Sequence, residues 1–298
     1  MQTIIPNLWF NDRVEEAVEF YTTTFAHGSK GYIARYADAG KEIHGHNAGD
    51  VLTANFTIED MEFVIINGGP LFKPNPSISF TVNCASNDEL DQLWQALSEG
   101  GEVLMELGTY PFSDYYGWVN DKFGVSWQLI IRSEQKHKIV PSLMYTKDQA
   151  GKAEEAINFY ASVFPDSHID AVTHYGPGME PDTAEMVAHA DLTIMGQSLI
   201  AQESAREHSF AFNEGVSLQI TFDTQEEIDE YWAKLSADPE AEACGWLRDK
   251  YGVSWQVVPR VMDEMMQNAT PEQMERVMAA YMPMKKFDIA TLEAAYDQ

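Results

Sequence analysis

GWVNDKFGVSWQ at residues 117–128 and GWLRDKYGVSWQ at residues 245–256 share 9 of 12 positions at a spacing of 128 residues. Two weaker echoes frame the pair. VEEAVEFY (14–21) recurs as AEEAINFY (153–160), and IIPNLWF (4–10) recurs as IVPSLMY (139–145). Solenoid repeats have periods of ~20–50 residues, so a spacing this long marks a duplicated domain. Each residue of one copy can therefore be read against its counterpart in the other.

Working outward, each half reads strand, helix, three strands, and then the same again. IIPNLWF is a short apolar strand, followed by the helix RVEEAVEFYTTTF, capped by Asn11 or Asp12, with apolar residues at helical spacing. SKGYIARYA, DVLTANFTI and MEFVIING read as strands between Gly and Asp punctuation, and LFKPNPS as a hinge. Beyond the hinge come SISFTVNCA, the capped helix NDELDQLWQALSEGG, and the strands EVLMELGTY, YYGWVND and VSWQLII. The offset between copies is 135 at the first strand (141 − 6), 139 at the helix (159 − 20) and 128 at the last strand (256 − 128). The second copy thus gains four residues early and loses eleven later, between QEEIDEYWAKLSA and Cys244. The missing piece is expected to be the counterpart of EVLMELGTY. The expected organisation is a domain over 1–134, a second over 135–260 that lacks about one strand, and a helical tail over 261–298. In the tail, Thr270-Pro271 reads as a helix start, and Met262, Met265, Met266, Met274, Met278 and Met282 read as a packing face.

The 298 residues are 45% hydrophobic and 12% aromatic, ample for packed cores. No run of ~18 apolar residues occurs, so no membrane span is expected, and MQTIIPNLWF lacks the features of a secretory signal. Cys84 and Cys244 do not occupy matching places, which reads as a reduced, cytoplasmic protein without a disulfide framework. With 47 acidic and 19 basic residues the formal net charge is −28, which repels nucleic acid and anionic membranes. The carboxylates are scattered over helix faces and turns, a pattern suited to solubility. An acidic surround for a cationic ligand is the second reading. Motifs for a P-loop, a Rossmann fingerprint, a nucleophile elbow and an H-E-x-x-H zinc site are all missing from the sequence.

The doubled β-α-β-β-β pattern resembles the vicinal oxygen chelate superfamily of glyoxalases, bleomycin-resistance proteins and extradiol dioxygenases. Within it the chain is similar to the PhnB-like branch, which carries the domain name 3-demethylubiquinone methyltransferase. Pro6, Leu8, the EEAVEFY helix, GWVNDKFGVSWQ and their second-copy equivalents carry the resemblance, and MKKFDIATLEAAY (284–296) is similar to tails of that branch. The resemblance implies an α+β fold of two tandem glyoxalase-like domains. Each is built from paired βαβββ modules that curl a sheet around a cup, with the helical tail added. Two such domains in one chain make an internal pseudo-dimer, so a monomer is expected, or a homodimer through the tail. Methyl transfer is not expected, because no glycine-rich nucleotide loop is present.

The resemblance also implies metal ligands on the first and last strands of the modules. Register with the helix places the first-strand position at Pro6 and Pro141, the next at Ser77 and Ser217, and the last at Gln128 and Gln256. The remaining one falls in FVIIN (63–67) or LIAQE (199–203), where Asn67, or Gln202 and Glu203, are the best oxygen ligands. Transition metals favour imidazole, thiolate or carboxylate, so no cofactor is expected in the first domain. In the second, Glu203 and His189 are the candidates for a divalent ion. His44 and His46 form an H-x-H on a glycine-bounded turn, read as an exposed loop against the alternative of a chelating pair.

Trp127 and Trp255 read as core residues, which aims Gln128 and Gln256 into the cup because strand neighbours alternate. A glutamine there orients a ligand by both donating and accepting. Tyr110, Phe112, Tyr115, Tyr116 and Trp118 crowd the first domain's rim, where aromatics suit a planar or cationic ligand; only Trp246 persists in the second copy. The candidate ligand-binding residues are therefore Gln128, Tyr115, Tyr116, Trp118, Asn67, Gln256 and Trp246. Asp121-Lys122 and Asp249-Lys250 read as turn residues. Three functional readings stand at this point. One is a metal-free small-molecule binder of the sequestering or resistance kind. The second is a divalent-metal enzyme of glyoxalase (lyase or isomerase) or dioxygenase type. The third is a non-catalytic interaction module.

Overall fold

A computed structural model of the chain describes residues 4–132 and 136–298; the domain boundary expected at 134/135 lies outside the described residues. The first module runs β1 (Ile4–Phe10), α1 (Val14–Thr24), β2 (Ser29–Arg35), a single helical turn α2 (Lys41–His44), β3 (Val51–Ile58) and β4 (Met61–Asn67). The second is β5 (Ile78–Cys84), α3 (Asn87–Ser98), β6 (Glu102–Tyr110), β7 (Ser113–Asn120) and β8 (Ser126–Ile131). The third is β9 (Ile139–Tyr145), α4 (Ala153–Val163), β10 (His168–His174), β11 (Val187–Ile194) and β12 (Gln197–Glu203). The fourth is β13 (Val216–Phe222), α5 (Gln225–Leu235), β14 (Trp246–Arg248) and β15 (Ser254–Pro259), followed by α6 (Arg260–Asn268), α7 (Pro271–Tyr281) and α8 (Ile289–Asp297). Between α5 and β14 no described strand matches β6. No helix among the described residues is long and apolar enough to cross a membrane.

Two curled sheets result, and each takes one module from each half of the sequence. The seven-stranded sheet runs β14-β15-β13-β1-β4-β3-β2, and the eight-stranded sheet runs β10-β11-β12-β9-β5-β8-β7-β6. Their seams are antiparallel: β1 on β13 (Asn7 opposite Ser217) and β5 on β9 (Ser79 opposite Ser142). Within one half, the two modules do not share a sheet.

Strand alternation sorts each sheet into a helix-packed face and a cup face. Ile4, Leu8 and Phe10 of β1, Leu218 and Ile220 of β13, and Trp127 and Trp255 all enter the main core against the helices. Asn7 and Trp9, Gln219, and Gln256 point the other way, into the cup. Pro6 therefore shares the face of Ile4 and Leu8. The first-strand position expected at Pro6 and Pro141 shifts by one residue, to Asn7 and Ser142. The next position shifts too: Ser79, not Ser77, matches Ser217, since each accepts from the terminal glutamine of its own sheet.

The repeated motif has a structural reason that a turn alone does not supply. Asp121 is buried and accepts four hydrogen bonds, from Phe123 N (2.8 Å), Val125 N (3.1 Å), Trp127 Nε1 (2.8 Å) and Tyr21 Oη (2.8 Å). Asp249 does the same with Tyr251 N, Val253 N, Trp255 Nε1 and Tyr160 Oη. The tyrosine of EFY or NFY is thereby tied to the DK turn and its tryptophan, locking the helix of one module to the last strand of another. The N-terminus of α1 departs from expectation. Arg13 is the residue before the first turn, with φ 60° and no side-chain cap, and the Asp12 N–H is instead taken by Asn67 Oδ1 (2.8 Å).

The tail closes the seven-stranded cup. Met262, Met265, Met274, Val277, Met278, Tyr281 and Leu292 form a second apolar cluster with Tyr36, Leu52, Val258 and Phe287, so the methionine stripe is a packing face. Where β14 has no outer neighbour, the tail backbone supplies one: Cys244 N donates to Met284 O and Gly245 N to Lys285 O, both at 2.7 Å. Gly245 has φ +83° and lies under the Phe287 ring, which a Cβ there would approach to 2.3 Å.

Candidate functional site

The two cups are homologous, but their contents differ. In the eight-stranded sheet, Tyr116, Trp118, Ile130 and Met144 pack together with Leu104, Met105, Tyr110 and Phe210. Tyr116 Oη donates to Gln128 Oε1 (2.7 Å), Gln128 Nε2 donates to Ser79 Oγ (2.8 Å), and Trp118 Nε1 donates to Ser126 Oγ (2.8 Å). Tyr110 and Phe112 meet the Tyr116 ring edge-on. Burial raises the Tyr116 hydroxyl well above its usual range, so it stays a proton donor. Tyr116, Trp118 and their neighbours occupy this cup.

In the seven-stranded sheet the corresponding space is a cavity of about 600 Å³ between sheet and tail. Its floor is a row of carboxamides from β1, β13 and β15. Asn7 Nδ2 donates to Ile5 O (3.1 Å) and Gln219 Oε1 (3.2 Å), and Gln256 Nε2 donates to Ser217 Oγ (2.9 Å). Trp9, Trp246, Phe72, Tyr32 and Tyr36 form aromatic walls, and Met262, Met266 and Tyr281 come from the tail. Trp9 meets both Phe72 (5.1 Å) and Trp246 (5.8 Å) edge-on. Asp263, Glu214 and Glu240 are the acidic lining residues, and no lysine or arginine is among those lining the cavity. Glu214 is paired with Arg248. Burial, with Glu62 and Glu264 nearby and Arg260 opposing, pushes Asp263 up to about 6. The Tyr32 hydroxyl is raised by burial and by the charges of Asp263 and Glu62.

Of the residues singled out from sequence, Gln256 and Trp246 line this cavity. Gln128, Tyr116 and Trp118 sit in the filled cup, bonded to one another's strands. Tyr115 lies on the opposite strand face and gives its hydroxyl to Asp91. Asn67 is buried with a structural duty: Oδ1 accepts from Asp12 N and Nδ2 donates to Val51 O (3.0 Å). Its counterpart Glu203 accepts from Gly151 N (2.5 Å), Ala153 N (3.3 Å) and Val187 N (2.6 Å). Both oxygens of Glu203 are thus engaged by backbone amides that start α4 and β11, not aimed at an ion. His189 Nε2 is paired with Asp191 Oδ1 (3.0 Å). His44 and His46 do not chelate: their rings stack on Tyr36 at 4.3 and 4.5 Å, and His44 Nδ1 accepts the His46 N–H. Sequence reading missed Asn7, Gln219, Trp9 and Asp263. A one-residue register slip at Pro6 hid the first, and the last belongs to the unrepeated tail.

The glyoxalase fold implies a divalent metal, which the donors of the cup floor do not suit. Asn7, Gln219 and Gln256 offer neutral amides where zinc, nickel or iron want imidazole, thiolate or carboxylate. Among the described residues no three His, Cys, Asp or Glu side chains converge. The donor set does not fit such an ion.

Two curled sheets of paired βαβββ modules define a tandem two-domain protein of the vicinal oxygen chelate superfamily. The chain belongs to the family described as 3-demethylubiquinone-9 3-methyltransferase, whose model matches residues 2–130 and again residues 137–258. Among solved structures, the chain is similar to the PhnB protein of Bacillus cereus, with 38% identity over 44% of this chain and 100% of that one (TM-score 0.40). Glyoxalase I from Zea mays shares the fold across 90% of this chain and 97% of its own, at 11% identity and a TM-score of 0.56. No curated protein matches the chain.

Proposed function

We propose that this chain is a small-molecule binding protein of the sequestering kind that works without a catalytic metal. It holds a neutral or cationic, largely apolar ligand in the seven-stranded cup. The observation that carries the reading is the difference between two homologous cups in one molecule. One is packed by Tyr116 and Trp118, while the other keeps a cavity of about 600 Å³ walled by aromatics, the usual form of a ligand pocket. Apolar burial supplies roughly 25 cal/mol per Å², and the amide floor supplies orientation. Asp263 and Glu240 line the cavity while no lysine or arginine does, which disfavours anions. The family name is no argument for methyl transfer, because one fold hosts many chemistries.

Two measurements on untagged protein purified without chelator test this. Metal content by mass spectrometry should be at background, and Zn²⁺, Ni²⁺, Mn²⁺ and Fe²⁺ should leave the melting temperature unchanged. A near-stoichiometric metal would sink the proposal. Fluorescence of Trp9 and Trp246 should respond to neutral or cationic aromatic compounds and not to matched anions; response to anions alone would count equally against it.

A further inference from the structure

The filled cup shows what the open cup is shaped to accept. Building on the binding reading above, we infer that the ligand carries an aryl hydroxyl or comparable aryl hydrogen-bond donor. That donor is seated where the Tyr116 side chain sits in the other cup and is given to Gln256 Oε1.

The argument rests on matched atoms. Gln128 and Gln256 occupy the same place in β8 and β15, and each gives Nε2 to a matched serine, Ser79 or Ser217. Gln128 Oε1 is then satisfied by the Tyr116 phenol at 2.7 Å. The residue matching Tyr116 is Cys244. There the chain reverses between Ala243 and Trp246, which exchange backbone hydrogen bonds of 3.2 and 2.8 Å. Cys244 takes φ 50°, and its sulfur lies 3.8 and 3.6 Å from the carbonyls of Tyr281 and Met282, toward the tail. Gln256 Oε1, unlike Gln128 Oε1, has no donor among the described residues.

A second pair of atoms also differs between the two cups, although Ser254 is not among the residues lining the cavity. Trp118 Nε1 donates to Ser126 Oγ, but its counterpart Trp246 packs edge-on against Trp9, and Ser254 Oγ, which matches Ser126, is buried without a partner. The Tyr116 ring thus has no counterpart donating to Gln256, and the Trp246 ring stays in the cavity wall but turns to Trp9, so that each change leaves an oxygen without its donor. Asn7 sharpens the polarity of the floor. Both of its amide hydrogens go to Ile5 O and Gln219 Oε1, which leaves its Oδ1 as a further acceptor facing the cavity. A buried acceptor left unpaired costs roughly 1–3 kcal/mol, so a ligand that restores the hydrogen bond is favoured over one of equal shape that does not.

The test is calorimetric titration of the full chain with three probes of one ring system and one substitution pattern: naphthol, methoxynaphthalene and naphthoate. Naphthol should bind at least about tenfold more tightly than methoxynaphthalene, with naphthoate weakest. Gln256→Met should abolish the preference for naphthol, and Gln256→Glu, which keeps acceptor oxygens, should retain it. Equal affinity for naphthol and methoxynaphthalene, or a preference that survives Gln256→Met, would overturn the inference while leaving the binding reading intact. If none of the three binds the wild-type chain, the binding reading falls as well. The comparison of probes on the wild-type chain needs no variant to fold.

Discussion

Replacing Tyr21 by phenylalanine removes one hydroxyl and keeps the ring that stacks on Phe56 at 5.4 Å. That hydroxyl donates to Asp121 Oδ2 at 2.8 Å in a fully buried setting. Burial and the adjacent carboxylate raise its pKa well above 10.0, so it remains a donor at any working pH. Hydrogen bonds to charged groups contribute roughly 1.5–3 kcal/mol. After the change Asp121 still accepts from Trp127 Nε1, Phe123 N and Val125 N, so no buried polar atom is left bare and the loss should not exceed that range. Tyr21→Phe should therefore shift the folding equilibrium by roughly 10–150-fold. The fall in Tm should be roughly 3–6 °C. Tyr160→Phe, at the matching bond to Asp249 (2.7 Å), should cost at least as much, because the Tyr160 hydroxyl also neighbours the buried Tyr145 hydroxyl, where the first copy has Phe10. Urea unfolding followed by tryptophan fluorescence reads both, with the slope m unchanged from wild type. A loss below about 0.5 kcal/mol in both variants would refute the claim that these paired hubs are why the motif is written twice.

Asp263→Asn tests the half-buried carboxylate of the cavity. Its folded-state value of about 6 exceeds the 3.8 of a free carboxyl. Between about pH 4 and 6 the folded chain thus keeps a proton that the unfolded chain has lost, and stability falls as pH rises through that window. The variant should be more stable than wild type by on the order of 2–3 kcal/mol at pH 7.5, with the difference gone below about pH 4 in urea titrations. Gly245→Ala places a Cβ 2.3 Å from Phe287 at a residue with φ +83°. It should cost at least roughly 1–3 kcal/mol, together with faster limited proteolysis near residues 282–288. Met278→Ala, a fully buried position in α7, should cost roughly 2–5 kcal/mol in the same urea assay and weaken naphthol binding by loosening the cover of the cup. Light scattering of the whole chain should return the monomer mass of 33.6 kDa, since each module already has its sheet partner within the chain.

Much of this architecture could be read from the repeated stretch alone. The alternation of Trp127 with Gln128 and of Trp255 with Gln256 assigned core and cup faces correctly, because a strand has only two faces. The tail helices followed from Thr270-Pro271 and the methionine spacing. The choice of sheet partner could not be read. β1 and β9 carry nearly the same apolar pattern, so nothing local says that β1 seeks β13 while β9 seeks β5. The polar hub was visible in outline, since Tyr21, Asp121 and Trp127 all persist as Tyr160, Asp249 and Trp255. Its meaning depended on a contact across 100 residues that spacing does not reveal. The aromatic cluster of 110–118 was read as a rim, whereas Tyr116 and Trp118 point into the cup from β7 and Tyr115 turns to Asp91 on the other face. Whether a tyrosine lines a pocket or plugs it depends on backbone details such as the reversal at Ala243–Trp246.

The crossing of the sheets between halves explains how one chain came to hold one filled cup and one open cup. In a dimer of identical chains both cups are built from the same modules, so any residue that plugs one plugs the other. Here the eight-stranded cup is built from the second and third modules and the seven-stranded cup from the fourth and first. A change such as the loss of the β6 counterpart therefore touches only one of them. The filled cup, with Tyr116 satisfying Gln128, can stabilise the molecule without a ligand. The open cup is then free to leave Gln256 Oε1 without a protein donor, a local cost tolerated where a ligand offsets it. The tail belongs to the same division. It replaces the missing strand at Cys244 and Gly245 and lines the cavity with Met262, Asp263 and Met266, so the sequence outside the repeat is what makes the open cup unlike its twin.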